Sequence, residues 1–220
     1  MADVFAGKGD LVVATGRTVK ALRSLRRGIV TFGGSCDIYR CDVRHKHSVT
    51  SVARAILKKY RAVDVLINNA GLTSFKDFQS SSSKDFASII ETNLRGPFLT
   101  SKAIIPSMIK RRAGMIVNIL SFAAKKVYTK SALYSASKAG LEAMMNVLRA
   151  ELRDTGIKII NVYPGAVLTP MWLREHRKRY SNQMMLPDDV ARLVYEATAQ
   201  SPSLMVEELI IRPQGGDLAV

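Results

Sequence analysis

The chain has 220 residues, 47% hydrophobic and 23% charged, a composition typical of a globular protein with one large domain, here 1–220. It contains no run of eighteen apolar residues and no apolar signal core near its start, so we predict no membrane span, no membrane partner and a cytoplasmic location. The net charge of +15 is spread along the chain without a nucleic-acid signature, which disfavours a nucleic-acid partner. Cys36 and Cys41 have the wrong spacing for a redox or zinc motif, so we expect reduced thiols on half-buried strand positions and no metal site.

Short β-branched runs alternate with longer stretches of helical periodicity. In chain order, the pattern predicts a strand at 10–16, a helix at 18–27, a strand at 36–43, a helix at 47–60, a strand at 63–71, a helix at 83–112 bent near Pro106, a strand at 114–121, a helix at 132–153, a strand at 157–165, a helix at 187–200 and a strand at 206–214. Apolar strands that alternate with helices indicate an α/β fold with a parallel sheet covered on both faces.

Polar stretches follow three of these strands. They are "NNAG" at 68–71, Ser121 with the residues after it, and "PGAVLT" at 164–169. Ligands of parallel sheets bind at the carboxyl ends of the strands. The three stretches are therefore expected along one ligand-binding rim.

Tyr134 and Lys138 stand four residues apart on a predicted helix, so their side chains share one face. A tyrosine pKa of about 10 is too high for efficient proton exchange near neutrality, and a neighbouring ammonium group lowers it. Ser121 could offer a hydroxyl to a substrate oxygen on which charge develops. These three residues suit the reduction of a carbonyl or the oxidation of an alcohol. The alternative is that they have no catalytic role, with Tyr134 and Lys138 an exposed helical pair and Ser121 a cap or turn residue.

Five stretches resemble, in order and spacing, the signature motifs of the short-chain dehydrogenase/reductase family: "LINNAG", "ETNLRG", "NILSFAA", "YSASKAG" and "VYPGAVLTPM". Ser121 precedes Tyr134 by 13 positions, as in that family. The resemblance covers the chain from about Leu11 to the carboxyl terminus. It implies a doubly wound, Rossmann-like parallel sheet.

The same resemblance implies a role for each matching residue. Tyr134 would be the catalytic acid/base, and Lys138 would bind the nicotinamide ribose and lower the tyrosine pKa. Ser121 would hold the substrate oxygen, and Asn93 would seat a proton-relay water. The remaining implied cofactor contacts are Asp42, Val43, Asn69, Ala70 and Gly71 on the adenosine side and Pro164, Gly165, Val167 and Thr169 on the nicotinamide side.

Arg17 follows the strand at 10–16, at a position where a basic residue suits the 2′-phosphate of a dinucleotide. We therefore expect NADP(H) in preference to NAD(H). The alternative is that Arg17 merely begins the next helix.

The family's glycine-rich TGxxxGxG loop is not found in this sequence. The nearest candidate, "TGRTVKAL" at 15–22, has Lys20 and Leu22 where the backbone would have to approach a phosphate. Arg17 also precedes Asn68 by 51 positions, which suits a start at the family's second strand. We expect the chain to lack the first βα unit, which leaves a central gap that strands pair across or another segment fills.

Two functions follow from these observations. The first is an NADP(H)-dependent oxidoreductase that interconverts a small-molecule carbonyl and a secondary alcohol. The alternative is a catalytically impaired family member that acts by pairing with a full-length relative. The resemblance implies a homo-oligomer, a dimer or tetramer, through the helices at 83–112 and 132–153.

Overall fold

A computed structural model describes residues 1–218. The strands are β1 (Leu11–Gly16), β2 (Ser35–Arg40), β3 (Val65–Asn68), β4 (Gly114–Ile119), β5 (Ile157–Pro164) and β6 (Glu208–Ile211). The helices are α1 (Ala2–Gly7), α2 (Val19–Thr31), α3 (Lys46–Tyr60), α4 (Ser83–Ile90), α5 (Gly96–Arg111), α6 (Ala132–Glu151), α7 (Arg174–Tyr180) and α8 (Pro187–Thr198). The predicted order of strands and helices is confirmed.

The strands form two parallel sheets. One has the order β3-β4-β5-β6, and the other consists of β1 and β2. Every pairing is parallel, so each connection must cross over the sheet, and helices make most of these crossings. The predicted α/β fold with parallel strands is confirmed.

A gap separates the two sheets. Within residues 1–218 no strand lies between β1 and β3, and these two strands do not pair with each other. The first ten residues instead form α1 and a turn, and α1 buries Phe5 and Ala6 in the core. The gap is thus present as expected, but neither of the two ways proposed to close it occurs.

The core lies on both faces of β4 and β5. On one face, Ile116 and Ile159 pack with Met108 of α5 and with residues of α6. On the other, Val117 and Val162 pack with α8 and with Phe5 of α1. Burial on both faces explains why these strands are largely apolar apart from their asparagines and Lys158.

The helix predicted at 83–112 is divided. A capping box between Ser82 and Asp85 starts α4, and a π-helical turn at Glu91–Arg95 joins α4 to α5. Pro106 lies inside α5, which continues to Arg111, and the bend predicted near this residue stays a prediction. Burial of Ile104 and Met108 on either side of the proline anchors this part of the helix to the core.

Both cysteines are free and buried, whereas the sequence suggested half-buried positions. Burial raises the pKa of both thiols. Among the helices formed by residues 1–218, none has the length and apolarity needed to cross a bilayer.

Candidate active site

The candidate site lies where β3 and β4 end beside the amino-terminal half of α6. Ser121 follows β4 by two residues and caps a short 3-10 helix, accepting a hydrogen bond from the Ala123 amide at 3.1 Å. Tyr134 and Lys138 lie on one face of α6, as their spacing predicted. The strand end and the helix thus bring these three side chains together.

Lys138 is buried, with only 3% of its surface exposed. Its Nζ donates a hydrogen bond to the Ile119 carbonyl oxygen at 2.7 Å and lies 5.8 Å from the centre of the Tyr134 ring. Burial lowers the pKa of Lys138 to about 8, because no carboxylate compensates for the lost hydration among residues 1–218. The ammonium keeps two N–H groups that can meet a ligand.

Burial raises the pKa of Tyr134 above its ordinary value, and the neighbouring side chain of Ser121 only partly offsets this rise. The sequence predicted a lowered pKa through Lys138. The difference has a physical reason, since Lys138 directs its Nζ to a backbone carbonyl and is itself weakly basic.

Asn93 is fully buried in the π-helical turn. Its side-chain oxygen accepts from the Leu72 amide at 2.7 Å, and its Nδ2 donates to the Leu72 carbonyl at 2.8 Å and to Ser137 Oγ at 2.9 Å. The side chain therefore ties the loop after β3 to α6. The predicted seat for a water stays a prediction, and this structural tie is the contact observed.

Gly71 lies between Asn93 and Lys138. A Cβ at this position would be 3.7 Å from Asn93 Oδ1 and 3.8 Å from Lys138 Nζ, so a larger side chain would fill the space beside the ammonium. Asn69 and Ala70, which precede it, are exposed on the rim. The structure therefore places Gly71 within the site and its two neighbours at the edge.

On the predicted adenosine side, Asp42 is held by its neighbour Arg44 through a bidentate ion pair with a shortest distance of 2.7 Å. Arg44 lowers the pKa of Asp42 to about 2. Val43 packs against Gly96, which places the end of β2 beside the start of α5. Arg17 is exposed after β1, with no ion pair recorded in the described part of the chain.

The predicted nicotinamide-side segment continues from β5. The Gly165 amide donates to the Ile211 carbonyl at 2.7 Å, and Val167 bridges to Met185. Pro164 is buried, and Thr169 accepts a bond from the Trp172 amide at 3.2 Å. The segment therefore contacts Ile211, Met185 and Trp172. None of these contacts is with Tyr134 or Lys138.

Ser137 also belongs to the site and was not predicted from the sequence. This fully buried serine accepts from Asn93 and donates to the Tyr134 carbonyl at 2.7 Å, linking the π-helical turn to the tyrosine's own turn of helix. The signal was a small polar residue between Tyr134 and Lys138 in "YSASK".

A buried asparagine ladder also escaped prediction. Asn68, Asn118 and Asn161 occupy one register across β3, β4 and β5. Asn68 Nδ2 donates to Asn118 Oδ1 at 2.9 Å, and Asn118 Nδ2 donates to Asn161 Oδ1 at 3.1 Å. The chain of amides continues through Asn146 to Arg149 on α6. This ladder fixes the strands that support the site.

The nicotinamide end of the site fits a dinucleotide cofactor. Gly71 leaves space beside the Lys138 ammonium, and two hydroxyls next to the Asn93–Leu72 pair, those of Thr73 and Thr92, are buried without a partner among the described residues. Such orphaned polar atoms indicate an incomplete set of hydrogen bonds. Between β1 and β3, however, residues 1–218 place no strand, and therefore no turn at the end of a strand, that could meet a diphosphate.

The short chain dehydrogenase family model matches residues 1–179, which include Ser121, Tyr134 and Lys138. The chain belongs to the short-chain dehydrogenase/reductase family. It is 32% identical over 208 residues to a sepiapterin reductase of Chlorobaculum tepidum, a match that covers 94% of this chain and 85% of the relative.

Solved structures of the family share the fold. A metagenomic short-chain oxidoreductase in complex with NADP is 31% identical, with a TM-score of 0.85 over 97% of this chain and 90% of the other. A variant of actinorhodin polyketide ketoreductase with NADPH is 28% identical, with a TM-score of 0.89 over 96% of this chain and 90% of the other. These matches confirm the doubly wound, Rossmann-like fold.

Proposed function

We propose that this member of the family is an NADP(H)-dependent oxidoreductase that interconverts a carbonyl and a secondary alcohol. The observation that carries the proposal is the placement of Tyr134 beside Ser121 and the buried Lys138. In this arrangement one substrate oxygen could contact both the hydroxyl of Tyr134, as the proton donor, and the hydroxyl of Ser121.

In the proposed mechanism, Ser121 and Tyr134 hydrogen-bond the carbonyl oxygen, and Tyr134 gives it a proton as negative charge develops there. A bound nicotinamide supplies the hydride. Lys138, anchored by the Ile119 carbonyl, would hold the ribose of a bound cofactor with its two remaining N–H groups. Its charged form, when present, favours the tyrosinate that remains after proton transfer.

The preference for NADP(H) rests on Arg17 and on the family members just described. Arg17 is exposed after β1, and its guanidinium can form a bidentate contact with a phosphate. Solved family members at 31% and 28% identity are complexes with NADP and NADPH. We infer the same cofactor for this chain.

The substrate is proposed to be a small molecule with an apolar or planar part. Phe75 and Trp172 stack with ring centres 5.3 Å apart, and His176 lies edge-on to Trp172. Phe75 lies in the loop after β3, Trp172 lies just before α7, and His176 lies within α7. Stacked aromatic side chains offer a flat apolar surface to such a ligand.

We also propose a homo-oligomer through the helices that the resemblance implies. Large apolar side chains on α4, α5 and α6 remain exposed in the single chain, and contiguous exposed apolar surface is typical of interfaces. They are Phe86, Phe98, Ile109 and Val147, exposed by 51%, 43%, 43% and 60%.

The first test is a titration of the purified 220-residue chain with NADPH, followed by nicotinamide fluorescence. Saturable binding supports the proposal, and turnover of carbonyl substrates is then compared between wild type and Tyr134→Phe. Loss of the hydroxyl should lower the rate by about 10²–10⁴-fold, as expected for a general acid. Tyr39→Phe, which changes a partly buried tyrosine on β2, is the matched control.

The second candidate is a catalytically impaired family member that acts by pairing with a full-length relative. The gap between β1 and β3 favours it, since the described residues offer no diphosphate-binding turn there. A folded chain that neither binds NADPH nor reduces any carbonyl tested would exclude the oxidoreductase and leave this alternative.

A further inference from the structure

We propose that the gap between β1 and β3 binds one extended, continuously apolar peptide strand of a partner chain. This strand would join the two sheets into one. The inference goes beyond the proposed function, because it concerns a protein ligand and its test does not require cofactor binding.

The two strands that border the gap run in the same direction. Val43, just after β2, packs on Gly96, and Arg95 donates to the Arg44 carbonyl at 3.3 Å. This region adjoins Asn93, which holds Leu72 after β3. The carboxyl ends of both sheets therefore lie at the same rim, so a strand in the gap can pair in parallel with both.

Helices hold the two sheets together on both faces. On one face, Val12 of β1 and Val65 of β3 pack against the apolar cluster that contains Phe5 of α1. On the other, Leu66 of β3 packs in the cluster that contains Ala53 of α3, and α3 connects β2 to β3. The gap is thus covered above and below but lacks backbone pairing through its middle.

The edge of β1 that faces the gap has unpaired backbone groups at defined positions. The Gly16 carbonyl accepts from the Cys41 amide, so Gly16 faces β2. Successive residues of a strand direct their backbone groups to opposite sides, and Val13 and Thr15 therefore face the gap. Their amides and carbonyls form a ready template for another strand.

The edge of β3 that faces the gap also has unpaired backbone groups. The Met115 amide donates to the Asp64 carbonyl at 2.8 Å, so Asp64 faces β4, and Val65 and Ile67 face the gap. The Asn69 amide occupies the Ile67 carbonyl at 3.1 Å, which closes the edge at its carboxyl end. Both borders thus offer donors and acceptors to a strand between them.

The lining specifies the chemistry of the occupant. Val12 and Ala14 pack toward α1, and Leu66 packs toward α3, so both faces of the gap are apolar. A strand covered on both faces reads as a continuous apolar run. Leu11 is 50% exposed, and Val65 to Ile67 are partly exposed, whereas the fully paired β4 and β5 contain residues with no exposure. Burial of this apolar edge surface would drive binding.

The test uses the whole 220-residue chain and a fluorescein-labelled peptide, acetyl-Lys-Val-Ile-Val-Val-Thr-Gly-Lys-amide, with binding followed by anisotropy. The matched control is the same peptide with alternate backbone amides N-methylated, which keeps the side chains but removes the donors toward one border. We expect saturable binding of the first peptide and at least about tenfold weaker binding of the second, because backbone hydrogen bonds are lost.

A variant of the protein tests the same contact from the other side. Val13→Pro removes an amide that faces the gap, a substitution that edge strands tolerate, and should weaken peptide binding about tenfold with the circular dichroism spectrum unchanged. If this variant does not fold, the comparison of the two peptides on the wild-type chain still decides.

Equal binding of both peptides, or no binding of either to a folded chain, would overturn the proposal. A dimer in sedimentation that the first peptide dissociates would also overturn it, since the occupant would then be a second copy of this chain and not a strand of a different protein. Because none of these measurements uses NADPH, their failure is distinguishable from failure of the proposed function.

Discussion

Replacing Lys138 with methionine should change how stability depends on pH. The ammonium is 97% hidden from solvent, and burial lowers its pKa from 10.5 to about 8. The unfolded chain therefore binds a proton at this site between about pH 8 and 10.5 that the folded chain does not. The contribution of Lys138 to the free energy of unfolding is therefore lowest below pH 8, and it rises as the pH increases to 10.5. The change in pKa corresponds to about 3 kcal/mol.

The measurement is urea unfolding of wild type and Lys138→Met at a series of pH values from 7 to 10.5. The free energy of unfolding of the wild type should gain about 3 kcal/mol relative to the variant across this range. Lys84→Met, which changes an exposed lysine on α4, is the control and should leave the pH profile parallel to that of the wild type. A difference between wild type and Lys138→Met that stays constant with pH would refute the reasoning.

Four further substitutions test the packing of the fold, all by urea unfolding. Asn93→Ala should cost about 3 kcal/mol, because it leaves the buried partners of its amide unpaired. Gly156→Ala should cost about 2 kcal/mol or more, since Gly156 has a φ of 79° and a Cβ there would collide with the Arg112 carbonyl oxygen. Gly28→Ala, at an open position of α2, should instead stabilise by about 0.5–1 kcal/mol. Asn118→Val should cost about 2–4 kcal/mol, because it interrupts the asparagine ladder.

A different result for each of these substitutions would contradict the contacts from which its effect is expected. An Asn93 variant as stable as the wild type would mean that the loop after β3 does not need its tie to α6. Equal effects of alanine at the two glycines would contradict the positive φ assigned to the first. A neutral valine in the ladder would show that its amides find other partners.

Much of the fold could be predicted because its pattern is strong. Apolar runs separated by helical periodicity placed the strands and helices in the correct order, and the spacing of Arg17 and Asn68 indicated the gap. The π-helical turn at Glu91–Arg95 was not predicted, since one extra residue in a turn leaves the apolar periodicity almost unchanged. Pro106 does not end α5, because Ile104 and Met108 on either side of it pack in the core.

The site was predicted in composition more accurately than in electrostatics. Spacing and motif brought Ser121, Tyr134 and Lys138 together, but the direction of the tyrosine pKa depends on burial, which no spacing reveals. The ion pair that occupies Asp42 comes from Arg44, two residues away. It could have been suspected from that spacing, since aspartates often bond to groups two residues on.

The asparagine ladder has a consequence for folding. Valine and isoleucine on neighbouring strands are nearly interchangeable, so apolar packing alone would tolerate a shift of two residues along β4. Such a slip would separate Asn68, Asn118 and Asn161 and leave buried amides facing hydrocarbon, at a cost of several kcal/mol. The three amides thus specify the register of β3, β4 and β5. Folding intermediates with a shifted register would be destabilised by unpaired polar groups within an otherwise apolar sheet.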